Sequence, residues 1–152
     1  MKAAVFTLNT EAYVNKEEGI TGNEVKKFLQ TKGHTVIAGT LPEDRDIIKT
    51  VVTKLTDAKS VDLILTVGST YVLGDKVAPK IIEELCEVKV PGIAEALRFT
   101  VADIDRSIIL ESGEAGICNG VVIVNLADKE KAAVEGLGFV LPEIEKLANN
   151  CF

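Results

Sequence analysis

The stretch Val61-Asp62-Leu63-Ile64-Leu65-Thr66 constrains the fold more than any other part of the chain. It is almost continuously apolar and stops abruptly at Val67-Gly68-Ser69-Thr70. A strand with one wet face alternates polar and apolar residues, whereas an unbroken run suits a strand covered on both sides. Coverage on both sides needs helices above and below a mainly parallel sheet, and the rest of the chain supplies them. Ala3–Leu8, His34–Ala38 and Val121–Leu126 read as further strands, with Ser107–Leu110 as a short one. Asn9 to Ile20 reads as a loop. Thr21-Gly22-Asn23-Glu24 has the form of a capping box ahead of Val25, Phe28 and Leu29, with Gly33 able to end that helix. Pro42 is expected to open the next helix, with Glu43, Asp44 and Asp46 in its first turns and Ile47, Ile48, Val51, Val52 and Leu55 at helical spacing. Helices follow over Val77–Cys86 and Ile93–Val101, then Lys129–Leu137 and Leu141–Ala148, the last two separated by weak glycine positions. The order is α/β in one domain spanning residues 1–152: a three-layer αβα sandwich with a mainly parallel sheet.

Composition narrows the function classes. With 17 Lys+Arg against 23 Asp+Glu the net charge is −6, which disfavours binding to nucleic acid or to an anionic membrane. No apolar run is long enough to span a bilayer, and the first residues carry too short an apolar stretch for a secretory leader. Cys86, Cys118 and Cys151 are scattered without CxxC spacing, and His34 is the only histidine, so a structural zinc is not expected. Reduced thiols and a cytoplasmic location follow.

In an open parallel sheet, ligands bind beyond the carboxyl ends of the strands. Two loops qualify. Thr66–Lys76 leaves the buried strand through Gly68-Ser69-Thr70 and enters a helix. Small residues there let a backbone approach a ligand, and hydroxyls beside a helix N-terminus suit phosphate oxygens. The same residues also fit an ordinary strand-to-helix turn that needs only Gly68. The second loop is Asn125–Glu130, where Asp128 either meets a metal or ligand hydroxyl or caps the following helix. Glu95 and Arg98, three apart, read as a helix surface pair. His34 is expected to be exposed at a strand start, and Cys86 to be core.

Taken in order, these segments resemble the molybdopterin-binding family, the MoaB/MogA type of molybdenum-cofactor biosynthesis protein, from about Ala4 to Leu147. Thr21-Gly22 with Gly33-His34 is similar to the family's Ser-Gly helix ending in Gly-His, and Pro42-Glu43-Asp44 to its Pro-Asp-Asp. Asp62 to Tyr71 lies on its Asp-x-x-x-Thr-Thr-Gly-Gly-Thr-Gly loop, and Val77-Ala78-Pro79 on its Val-Thr-Pro. Pro91-Gly92-Ile93-Ala94-Glu95-Ala96-Leu97-Arg98 matches best, and Glu111 to Ile117 and Val121 to Ala132 cover the remaining motifs. The resemblance implies a homotrimer or homohexamer that binds a pterin or nucleotide, with molybdopterin as ligand or substrate and Mg-ATP where adenylylation occurs. It implies ligand contacts from Thr66, Gly68, Ser69, Thr70 and Tyr71, from Glu95 and Arg98, and from Glu111, Ser112, Asn125 and Asp128. Asp44, Asp75 and Lys76 fall at catalytic positions, and Glu43 and Asp44 at metal positions.

The chain departs from the family pattern at several of these places. Asn9-Thr10 replaces Ser-Asp, Gly19 replaces an Asp, and Asp75-Lys76 replaces Arg-Asp. Ser69 and Tyr71 stand where the family has glycines, Glu111-Ser112 where it has Ser-Arg, and Ala127-Asp128-Lys129-Glu130 where it has Pro-Gly-Ser-Pro. A lysine ammonium has no lone pair for Mg²⁺, though Lys76 can neutralise a phosphate. Three readings result: a divergent adenylyltransferase, a non-catalytic member that binds another small anionic ligand or serves as an oligomeric assembly or regulatory subunit, and a different enzyme built on Lys76, Asp75 and Glu111.

Overall fold

The computed structural model describes residues 1–150, so Cys151 lies outside the described residues. The elements are β1 (Lys2–Leu8), α1 (Thr10–Val14), α2 (Ile20–Thr31), β2 (Thr35–Leu41), α3 (Arg45–Ala58), β3 (Leu63–Val67), α4 (Val77–Leu85), β4 (Val88–Lys89) and α5 (Pro91–Phe99). A 3-10 turn (Arg106–Leu110), β5 (Ala115–Cys118), β6 (Val121–Leu126) and α6 (Glu130–Asn150) complete the chain. The six strands form one sheet in the order β2-β1-β3-β6-β5-β4. β2, β1, β3 and β6 are parallel, and β5 and β4 are added antiparallel at one edge.

The expected three layers are present. Ala3 and Val5 of β1 and Leu63 and Leu65 of β3 pack with Val25 and Leu29 of α2, Ile93 of α5 and Leu137, Val140 and Ile144 of α6. The alternate residues Ala4, Leu8 and Ile64 pack with Ile48 and Val52 of α3 and Ile81 and Ile82 of α4. All five residues of β3 are buried, as its unbroken apolar run requires.

Several local expectations are corrected. Within the expected loop 9–20, Asn9 Oδ1 accepts the Ala12 N–H at 2.9 Å and caps α1. The capping box does not form: α2 starts one residue before Thr21, which is buried, with Gly19 at the cap. Methyl groups on Gly19 and Gly22 would sit 2.5 Å and 2.4 Å from Thr7 Oγ1, so close approach to β1 sets this helix start. The third helix begins at Arg45, not Pro42, because Asp44 Oδ1 accepts the N–H groups of Asp46 and Ile47. Ser107–Leu110 is 3-10 rather than strand, since Asp105 accepts both the N–H and the hydroxyl of Ser107.

β4 and β5 were not expected. β5 and β6 form a two-residue hairpin at Asn119-Gly120, both with positive φ (49° and 82°), the dipeptide that a tight turn of this hand prefers. The two expected C-terminal helices are one, running through Gly136, Gly138 and Pro142. A methyl on Gly136 would lie 3.0 Å from Leu97 Cδ2, and one on Gly138 3.4 Å from Phe28 Cζ. Those glycines admit α5 and α2 against α6, and burial of Leu137, Val140, Leu141 and Ile144 outweighs their poor helix propensity.

Candidate functional site

The chain leaves β1 toward β2 on one side and returns to β3 on the other, so the sheet order switches direction at β1 and β3. Beyond the carboxyl ends of these strands lies a crevice of about 210 Å³, lined by Gly68, Ser69, Thr70 and Tyr71 and by Glu43, Asp75, Lys76, Glu111 and Asp128. This is where a ligand is expected in such a sheet. Gly68 has φ of 97°, and a methyl there would meet the Leu8 carbonyl oxygen at 3.1 Å, so the position accepts only glycine without strain.

Ser69 also adopts a left-handed φ of 57°, a conformation that costs a side-chain-bearing residue roughly 1–2 kcal/mol. Its hydroxyl accepts the Val77 N–H at 3.0 Å and its carbonyl the Ala78 N–H at 3.4 Å, satisfying the first turn of α4. Lys76, with φ of 51°, is the cap residue of that helix. Tyr71 does not share the left-handed geometry; it is 47% exposed and lines the crevice without filling it.

The segment 110–112 clamps the loop from the other side. Leu110 O accepts the Val72 N–H at 3.0 Å, Tyr71 and Glu111 form a β-bridge, and Ser112 donates both its N–H (2.7 Å) and its hydroxyl (2.8 Å) to Thr70 O. Arg98 reaches from α5 to donate to Gly113 O at 2.8 Å. Asn125 Nδ2 donates to the buried Thr66 Oγ1 at 2.8 Å, while Asn125 Oδ1 accepts the Glu114 N–H at 3.1 Å. Thr66, Arg98, Ser112 and Asn125 therefore hold the walls of the crevice. Glu95 stands exposed on α5 outside the crevice lining, and the expected pair with Arg98 is replaced by the Arg98–Gly113 bond.

The acidic residues divide. Asp44 spends Oδ1 on capping α3, next to Glu43, whose N–H donates to Thr10 Oγ1 at 2.9 Å. Asp128 lies two residues ahead of α6 and lines the crevice instead of capping the helix. Burial pushes the Glu111 carboxyl above the ordinary glutamate range; Lys129 opposes that shift, and Asp105 and Asp128 add to it. Two polar atoms of the crevice residues are buried without a partner, Thr70 Oγ1 and Glu111 Oε2. Among the described residues, no three His, Cys, Asp or Glu side chains converge to hold a metal ion.

Away from the crevice, His34 is not exposed as expected. Its side chain is 8% exposed, with Nδ1 2.9 Å from the Met1 nitrogen and Nε2 3.3 Å from Glu145 Oε2. Cys86 is core, as expected, and burial raises its thiol to about 12. A second cavity of about 340 Å³, with no expectation attached to it, lies between α1, the first turn of α2 and β2. Its one sequence signal is the spacing of Gly19 and Gly22. No described helix is long and apolar enough to cross a membrane.

A family model described as a probable molybdopterin binding domain matches residues 4–146. The chain is 33% identical to a molybdopterin adenylyltransferase of Helicobacter pylori over 102 residues, 67% of this chain. That match spans 58% of the relative's length, less than two thirds of it. In three dimensions the chain is similar to the molybdopterin biosynthesis enzyme MoaB of Thermus thermophilus, with TM-score 0.85, 27% identity, and 98% and 97% of the two chains covered. It also shares the fold of the molybdopterin biosynthesis Mog protein of Mycobacterium ulcerans, with TM-score 0.90, 19% identity and 99% of each chain covered.

Proposed function

We propose, from the premise that the chain belongs to the molybdopterin-binding domain family, that it holds molybdopterin in the crevice beyond β1, β3 and β6. The observation that carries this reading is the Gly68-Ser69-Thr70 turn at the point where the sheet order switches, with Gly68 left-handed and so close to the Leu8 carbonyl that a side chain there is strained. A turn of this kind lets a ligand lie directly on main chain. Lys76, at the crevice wall, supplies the positive charge for the ligand's phosphate, and the half-exposed Tyr71 ring supplies a flat apolar surface for a heterocycle. Ser69, Ser112, Asn125 and Arg98 set the shape of the loop, and residues 1–152 act as one domain.

Adenylylation with Mg-ATP is the finer activity that the Helicobacter relative's name carries. The donor set offers no all-protein magnesium cage: Asp44 Oδ1 is committed to α3 and no three ligating side chains converge among the described residues, so a magnesium would rest on one or two carboxylates and the substrate's own phosphates. That arrangement favours a second reading, a family member that binds the pterin without turnover. Under either reading the protein is a cytoplasmic homotrimer or homohexamer, so light scattering gives three or six times 16.3 kDa. The deciding experiment is an anaerobic titration with molybdopterin, with and without Mg-ATP, followed by chromatography. Binding without product supports a binding protein; binding with an adenylylated product restores the catalytic reading; no binding of molybdopterin overturns both.

A further inference from the structure

Thr70 Oγ1 and Glu111 Oε2 are the two buried, unpartnered side-chain atoms of the crevice residues. Thr70 is 1% exposed, so its hydroxyl is shut off from bulk solvent. Each such atom is destabilising until something satisfies it. A crevice wall carrying two of them is selective for whatever satisfies both.

The identity of that partner follows from charge and shape. Glu111 and Asp128 place two carboxylates in the lining of the crevice, whose one cation is Lys76. Like charge disfavours a phosphate beside the carboxylates and leaves it to Lys76. A bare metal ion is disfavoured there as well, since no three ligating side chains converge among the described residues. A group rich in N–H donors satisfies such a carboxylate. A carboxylate is planar and accepts two parallel N–H bonds, and a threonine hydroxyl donates one. The edge that presents two adjacent N–H donors followed by a carbonyl acceptor is that of a 2-amino-4-oxopyrimidine ring.

We propose that Glu111 is the specificity-determining residue of the crevice, accepting the amino and ring N–H groups of a 2-amino-4-oxopyrimidine edge while Thr70 donates to the neighbouring carbonyl. This rests on the reading of the crevice as a pterin site, but the edge itself is common to pterin and guanine. A glutamate at this position makes a wall that reads the ring and leaves the phosphate to Lys76.

The test is direct calorimetric titration of the full chain with molybdopterin, and with two matched pairs that differ at the 2-position: pterin against lumazine, and guanosine monophosphate against inosine monophosphate. The wild type is expected to bind pterin about tenfold or more tighter than lumazine, and Glu111→Gln and Thr70→Val to bring the pair within about twofold, because a site built around hydrogen bonds rejects the analogue that lacks them. Pterin and lumazine binding equally to the wild type, while molybdopterin binds, overturns the role of Glu111 and leaves the pterin site standing. Discrimination of guanosine from inosine monophosphate without molybdopterin binding keeps the edge and overturns the pterin site. Absence of binding by every probe overturns both. Glu111→Gln that remains folded yet keeps the full pterin preference also overturns the proposal.

Discussion

The hydroxyl of Ser69 accepts the N–H of Val77 at 3.0 Å, closing the crevice loop onto the first turn of α4 from a residue whose own backbone is left-handed. The two effects oppose each other, since the cap stabilises while the φ angle costs. Ser69→Ala loses the cap and keeps the strain, and is expected to destabilise by about 1 kcal/mol. Ser69→Gly loses the cap and relieves the strain, so it should fall closer to wild type. In a domain of this size about 1 kcal/mol lowers Tm by roughly 2–4 °C, and thermal unfolding of the two variants gives their order. Ser69→Gly less stable than Ser69→Ala would contradict this account.

Asp44 caps α3 through one oxygen. Asp44→Ala is expected to destabilise by about 1 kcal/mol. Asp44→Asn keeps an acceptor in place and should unfold near the wild-type temperature. The pair separates structure from chemistry: if an adenylylated product forms, its loss in a stable Asp44→Asn variant assigns the carboxylate a role beyond the cap.

Glu111 makes a pH-dependent contribution of determined sign. Its folded-state carboxyl is raised above the ordinary 4.5, chiefly by burial, so the folded protein binds its proton more tightly than the unfolded chain does. Its contribution is complete below 4.5 and is lost as pH rises through the raised folded value. Glu111→Gln, which cannot ionise, should match wild type in acid and become the more stable protein as pH climbs toward neutrality. Unfolding midpoints of both proteins across that range check this; a gap that closes with rising pH would reverse the sign.

A single run of residues, Val61 to Thr66, was enough to require a buried parallel strand with helices on both sides, because coverage of both faces follows from hydrophobicity alone. Periodicity likewise placed α4 and β6 in the sequence, and the order of motifs gave the family. Gly68 was legible as a turn at the end of a strand, since a residue without a side chain fits there unstrained so close to its neighbour. Asn119-Gly120 is likewise a local hairpin signal, since both residues tolerate the positive φ that the turn needs.

Other features depended on partners distant in sequence. α6 continues through Gly136 and Pro142 because Leu97 packs on the glycine and the apolar residues beyond are buried; local propensity opposes it. α2 starts before Thr21 because β1 brings Thr7 against Gly19 and Gly22. Glu95 and Arg98 are neighbours on a helix surface by spacing, yet Arg98 turns to the Gly113 carbonyl, which only the fold places within 2.8 Å. Sequence sets which residues are apolar, which can cap and where a backbone can turn, all decided within a few residues. The partners of Thr70, Glu111 and Arg98 belong to segments that meet only when the sheet assembles, so tertiary structure alone decided which polar atoms were satisfied and which were left without a partner.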